Sequence, residues 1–333
     1  MAPYAAAVAI ATHGPARSPM ATAFALGLVL AATAAVSLTS PSVLRRPVVQ
    51  LWTTVFVAVC VQAMPFLVLG VTVGGLIAAL VPNGVLARAL PRSAVLSVPV
   101  AALAGAVLPG CECSSVPVAG RLVSRGAPAP AALAFLLAAP AINPVVLVAT
   151  SVAFPGHPEM VLARFVASLA AAVVVGWIWA RVGSEDLVAK ARTSHEHTEG
   201  GRLARFFAAS HHDLLHAGGF LVLGAALAAT LQTVVPRSIL DRLAGSGVLA
   251  VLTLAGLAVV LAVCSEADAF IAASLSQFSF TARLAFLVVG PMVDVKLVAL
   301  QAGTFGRRFA LRFAPLTLVV AVASAALTAR WLL

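Results

Sequence analysis

An all-α, polytopic membrane protein is the fold class that this 333-residue sequence predicts, on three observations. The chain is 62% hydrophobic and only 10% charged, with a mean hydropathy of +1.07. A soluble domain carries about 25% charged residues, so this one has too little polar surface to cover a body in water. Apolar runs of the length a helix needs to cross a bilayer recur along the whole chain. The runs are also continuous. Neither the strand–turn alternation of an α/β enzyme nor the alternating segments of a transmembrane barrel occurs.

The basic residues support this reading. A net charge of +10 would suggest nucleic acid in a soluble protein. Here the bases stand singly or in pairs at the ends of apolar runs: Arg45-Arg46, Arg88, Arg92, Arg181, Arg307-Arg308. That is the pattern of membrane anchoring, with lipid as the partner. No interleaved aromatics are present to stack bases, so nucleic acid is excluded.

Taken in order, residues 1–47 hold an apolar run at 21–38. It is long for a signal-peptide core and lacks a convincing cleavage site, so we read it as an uncleaved first span, with Met20 an alternative start. Further spans are expected at 50–80, 94–110, 128–154, 160–181, 214–235, 247–264, 281–303 and 309–332. With uncertain segments counted, that makes about 8–10 transmembrane helices. The segments 114–126 and 265–280 are too short and polar to span simply and are candidates for re-entrant stretches. One long polar stretch, 181–213, holds five of the eleven acidic residues. Its core, 183–210, reads as a linker on the cytoplasmic side.

The chain resembles itself. "FLVLG" occurs at 66–70 and again at 220–224, and in that register Val81-Pro82 falls on Val235-Pro236. "LAFLLAAPAIN" at 133–143 resembles "LAFLVVGPMVD" at 284–294, and that register puts Cys113 on Cys264. Two ungapped blocks in the same order predict two homologous repeats, 48–182 and 211–333, parallel or inverted. Transporters are often built this way, with the substrate site between the halves.

Several polar residues stand where lipid is expected. Glu112, Glu266, Asp268 and Asp294, with Lys296, lie in or beside apolar runs. A charge at mid-bilayer costs about 3 kcal/mol or more, so such residues face a cavity or a partner. Pro140 and Pro291 sit inside apolar runs at matched places, each followed three residues later by Asn143 or Asp294. Each proline frees the carbonyl four residues back, Leu136 or Leu287, and predicts a broken helix whose polar groups line a wet cavity. Cys111, Cys113 and Cys264 offer thiols for a soft species such as Cu(I), Zn(II) or a trivalent arsenical, or else pack as small hydrophobes, as Cys60 is expected to do. Were 264–278 helical, Cys264 and Asp268 would share a face. Ser114 and Ser115 either add hydroxyl ligands or bond back to their own helix. His195, His197, His211, His212 and His216 form a metal-like cluster that reads better as a solvated loop. No nucleotide, dinucleotide or zinc-protease motif is present. The sequence calls for no cofactor and no enzyme chemistry, and it assigns no resident metal.

The stretch "PGCECSSVPVAGRLVSRGAPAPAALAFLLAAPAINPVVLVAT", with "CSEADAFIAASL" and "LVVGPMVDVKL", resembles the predicted-permease family that contains the ArsP-type organoarsenical exporters. The resemblance covers about 48–325. It implies a multi-pass inner-membrane permease that exports small toxic compounds: trivalent organoarsenicals in one branch, soft metals in another. Onto this chain it places Cys111, Cys113, Pro117, Pro140, Asn143, Pro144, Pro291, Asp294 and Lys296. The expectation is a secondary-type efflux permease with a substrate-binding set of these residues plus Glu112, Ser114, Cys264, Glu266 and Asp268. Glu112, Glu266 or Asp294 would exchange a proton, and Lys296 would neutralise Asp294. A soft-metal exporter, a membrane thiol–disulfide electron carrier and a structural subunit are the alternatives, and a homo-oligomer is open.

Overall fold

The computed structural model describes residues 47–82, 85, 88, 90–91, 93–107, 111–183, 201–234 and 247–333. The expected first span at 21–38, most of the linker, and His195 and His197 lie outside the described residues. Among those described, the regular structure consists of twelve helices. In order they are α1 (Pro47–Leu80), α2 (Ala94–Gly105), α3 (Glu112–Ser124), α4 (Ala129–Ile142), α5 (Pro144–Ala153) and α6 (Pro158–Val182). Then follow α7 (Arg202–Val234), α8 (Gly247–Leu261), α9 (Asp268–Ser274), α10 (Phe280–Val289), α11 (Val295–Thr304) and α12 (Arg307–Leu332). The chain is an all-α polytopic membrane protein.

Helix length separates the lipid-facing shell from the interior. Among the described residues five segments are long and apolar enough to cross a membrane: Pro47–Leu80, Ala129–Ala153, Pro158–Val182, Leu203–Thr230 and Arg307–Leu332. In the first of these 28% of the most apolar window is buried, and Val48, Leu51, Val57 and Val61 face outward, as lipid contact requires. The window in Ala129–Ala153 is 78% buried, which makes it the centre of the bundle. The expected spans 94–110 and 247–264 form shorter helices, and 281–303 is two helices parted around Pro291, as the sequence predicts.

Alanine explains how α4 fits there. From Ala131 to Ile142 every side chain is buried, and α4 packs on α2, α3 and α6. An Ala-rich surface lets helices approach closely, which is the main source of association where lipid is as apolar as the protein. The outer helices then close the bundle: α1 packs on α7, and α6 on α12.

Two breaks interrupt the interior. Proline biases the preceding residue out of the helical region, so Pro144 leaves Asn143 extended (φ −67°, ψ 157°) between α4 and α5. The Asn143 side chain then serves both helices. Its Oδ1 accepts from Val146 N at 3.0 Å, and its Nδ2 donates to the Ala139 carbonyl at 3.0 Å. The second break follows Pro291. Asp294 is extended (φ −136°, ψ 168°) and caps α11 by accepting from Leu297 N at 2.5 Å. A carboxylate has no donor for the preceding helix, so its second oxygen is left for other work.

The breaks are covered by cross-packing. Helix α3 lies against α1, α4 and α11, while α9 lies against α10 and α5. Glycine permits the closest approaches. A Cβ on Gly70 would sit 2.4 Å from Ser114 Cα, and one on Gly224 would sit 2.7 Å from Lys296 Cα. These are the glycines of the two "FLVLG" stretches, so the motif brings α1 onto α3 and α7 onto α11. Gly70→Ala and Gly224→Ala are therefore expected to destabilise the purified protein by about 1–3 kcal/mol each, against the usual helical preference for alanine. Gly256→Ala, where a Cβ meets nothing within 4 Å, should stabilise by about 0.5–1 kcal/mol. Thermal unfolding midpoints in detergent check the contrast.

Candidate functional site

The polar residues of the interior gather where α3 and α11 begin. Cys111 precedes α3 in an extended conformation, and Glu112 is the first residue of the helix. Lys296 is the second residue of α11, and Cys264 follows α8 in the turn before α9. The Sγ atoms of Cys111 and Cys264 and a carboxylate oxygen of Glu112 all lie within 4.8 Å of one another. Cys113, two residues on from Cys111 in α3, is fully buried as well. All four cysteines are free thiols.

Lys296 binds this group together. Its Nζ donates to Glu112 Oε1 at 2.5 Å and to the Ala262 carbonyl at 3.3 Å, and stands 3.9 Å from Cys264 Sγ. Asp294 Oδ2 is 3.8 Å away. All three charged side chains are fully buried. An ammonium alone there would cost several kcal/mol, and two flanking carboxylates are what make it tolerable. The expected Lys296–Asp294 pair is present, but Glu112 is the closer partner, because Asp294 spends its other oxygen on its helix cap.

A second buried pair lies across the α5–α9 contact. Arg164, in α6, is fully buried and grips Asp268 with both terminal nitrogens, at 2.9 and 2.8 Å. The sequence reading missed Arg164, although its signal was there: a single charge inside the apolar run 160–181. Asp268 was grouped with the thiols on the assumption of a helix from 264. The structure instead makes Cys264–Ala267 a turn, with α9 starting at Asp268, and the carboxylate turns to Arg164.

The remaining expected residues divide. Glu266 belongs with the charged groups: it lies near enough to feel Glu112, Lys296 and Arg164, yet both its oxygens are buried and make no hydrogen bond among the described residues. Glu112 Oε2, Asp294 Oδ2 and Ser265 Oγ are likewise buried without a hydrogen bond. Such atoms normally have a water or a ligand. Ser114 and Ser115 bond back, donating to the carbonyls of Cys111 (2.8 Å) and Glu112 (3.1 Å). Pro117 is buried within α3. Asn143 and Pro144 shape the first break, while Pro140, expected to break the helix, lies inside α4 three residues before it. His212 and His216 stack on one another along α7, and His216 bonds the Gly303 carbonyl at 3.0 Å. They join no metal-like group among the described residues.

The close pair makes a stability prediction. Lys296→Met leaves Glu112 buried without its partner and should cost about 3–5 kcal/mol, whereas Lys296→Met with Glu112→Gln should recover most of that loss. Thermal unfolding in detergent distinguishes the two variants.

Comparison with known proteins agrees with the architecture. A family model described as a predicted permease, of the ArsP type, matches residues 49–329. The UPF0718 protein YcgR of Bacillus subtilis is 35% identical over 280 residues, 82% of this chain and 95% of that protein. A Streptococcus mutans protein, provisionally named a two-component membrane permease complex subunit, is 32% identical over 266 residues, 78% of this chain and 88% of the relative. No solved structure matches the chain. With several membrane-length helices, a broken-helix interior, and a family match over nearly the whole described region, this chain is a multi-pass membrane permease belonging to the ArsP-type predicted permease family.

Proposed function

We propose that this permease exports a small thiophilic compound, a trivalent organoarsenical, across the inner membrane. The observation that carries the reading is the meeting of Cys111 and Cys264 beside Glu112 and Lys296, buried at the junction of broken helices with Cys113 two residues on from Cys111. A dihydroxy organoarsenical is neutral and reacts with two thiols: two As–O bonds break, two As–S bonds form, and the thiol protons leave in two waters. Oxidation states and net charge are unchanged. That suits a site in a low-dielectric interior, where any added charge is expensive.

The competing cargo is a soft metal cation, favoured by the 4.8 Å grouping of Cys111, Glu112 and Cys264. Lys296 argues against it. A cation bound by these groups would sit beside an ammonium that is 2.5 Å from one ligand side chain and 3.9 Å from another. Repulsion at such distances is strong where water is excluded.

The proposal includes duplicated halves, 48–182 and 211–333, with the linker between them cytoplasmic. In its favour, the run from α1 to α6 and the run from α7 to α12 each begin and end with a long helix. Asn143 and Asp294 cap the second helix of the broken pair in each run. Energy would come from proton entry, since no nucleotide motif is present. Glu266, with no hydrogen-bond partner for its buried oxygens, is the best-placed carrier. The name of the streptococcal relative adds a partner subunit to the reading, with a homo-oligomer as the alternative. The mass of the detergent-purified complex decides between them.

Uptake into everted vesicles tests the function. Methylarsenite should accumulate with an imposed proton gradient, and Cu(I) and Zn(II) should not. Cys111→Ser and Cys264→Ser should each weaken apparent affinity by about 100-fold, because one thiol no longer delivers the arsenical to the next at high local concentration. Unchanged uptake in both variants would remove the thiols from transport. Uptake of the metals alone would favour the cation reading. A reversible Cys111–Cys264 disulfide with no substrate movement would favour an electron carrier.

A further inference from the structure

The mechanism above leaves Arg164 unused, yet it is among the most constrained side chains in the interior. Nη1 donates to Thr150 Oγ1 and to Asp268 Oδ1, both at 2.9 Å. Nη2 donates to Asp268 Oδ2 at 2.8 Å and to the Ser265 carbonyl at 3.3 Å. One guanidinium thus ties α6 to α5 and to the turn leading into α9. The planar fork is what permits this; a lysine in its place offers a single point charge.

The grip lands on the backbone that carries Cys264. The Cys264 carbonyl accepts from Ala267 N at 2.9 Å and Asp268 N at 3.2 Å, so the residues that Arg164 holds close a turn on the cysteine itself. On the other side, Lys296 Nζ donates to the Ala262 carbonyl. Ala262 has φ 48°, the one positive φ outside glycine among the described residues. Such a conformation persists only where the surroundings over-determine it. The segment 262–268 is therefore a strained stretch pinned at both ends by buried cations, with Cys264 between the pins.

We propose that Arg164 is a positioning residue for substrate capture: by clamping Ser265 and Asp268 it holds the Cys264 thiol against Cys111, so that a thiophilic substrate meets both at once. The proposal rests on the thiol reading of the site and adds to it how the thiols from distant parts of the chain are aligned. A purely structural role would require only that the Arg164 charge be neutralised. The positioning role requires the fork.

The test uses the full chain, purified in detergent, with Cys60→Ala and Cys113→Ala so that Cys111 and Cys264 are the only thiols. Disulfide formation driven by copper–phenanthroline reads their alignment, and thermal unfolding is measured in parallel. Arg164→Lys should slow cross-linking by roughly tenfold or more, since displacements of about 1 Å carry penalties of that order or larger. The double variant Arg164→Met with Asp268→Leu removes both buried charges and should unfold near the parent's midpoint. It should still cross-link slowly, because the clamp is gone. Cross-linking at the parent's rate in the stable double variant, or in Arg164→Lys, overturns the proposal; so does a parent that does not cross-link. A separate arm measures phenylarsine oxide binding to the chain with all its cysteines. Slow cross-linking in the variants combined with no arsenical binding to the wild type would leave the clamp standing and overturn the proposed cargo.

Discussion

A polar group in the hydrocarbon layer has no water to turn to, and that constraint organises this molecule. Each backbone break and each charge in the interior is met by another protein group or is left facing a space where a ligand or water belongs. Asn143 shows the first case, giving one hydrogen bond to each side of the break it occupies. Lys296 shows it too, held between Glu112 and Asp294. So do Arg164 and Asp268, a bidentate pair with little exposure of either partner.

The same constraint links fold to function. Proline breaks α4 from α5 and α10 from α11, and each break creates helix termini in the interior. Short helices cover those termini, with α3 reaching α11 and α9 reaching α5, and the long helix α6 adds Arg164 from its inner face. Their first residues, Glu112 and Asp268, are acidic and pair with bases from distant segments. The thiols next to these residues are drawn together by the same packing. On the proposed reading a binding site and a structural solution to buried charge share residues, so that a ligand entering between Cys111 and Cys264 would act on groups that hold the bundle closed.

Much of this was legible from residues alone. An acid, a base and thiols in apolar runs announce themselves, because lipid penalises each of them; Glu112, Lys296, Cys111 and Cys264 were found that way. Prolines within such runs announced both breaks. Arg164 carried the same signal and was passed over as part of a span. Asp294 pairs with Lys296 as expected, while its other oxygen caps its own helix and Glu112 stands closer to the ammonium. Asp268 was matched to Cys264 by an assumed helical face, and a turn puts it elsewhere. "FLVLG" was read as a sign of duplication, while its glycine also sets how closely α1 and α7 approach the site.

By itself the sequence determined that this chain lives in lipid as helices, where those helices break, and which side chains must be matched inside. Those are local consequences of hydropathy, of proline's missing N–H and of the cost of a bare charge, and each can be read within a window of some 20 residues. Only the tertiary structure decided which acid meets which base and which thiols meet each other. Partners such as Glu112 and Lys296, or Arg164 and Asp268, are more than 100 residues apart in the chain. Nothing in a local window encodes the helix crossings that bring them within hydrogen-bonding distance.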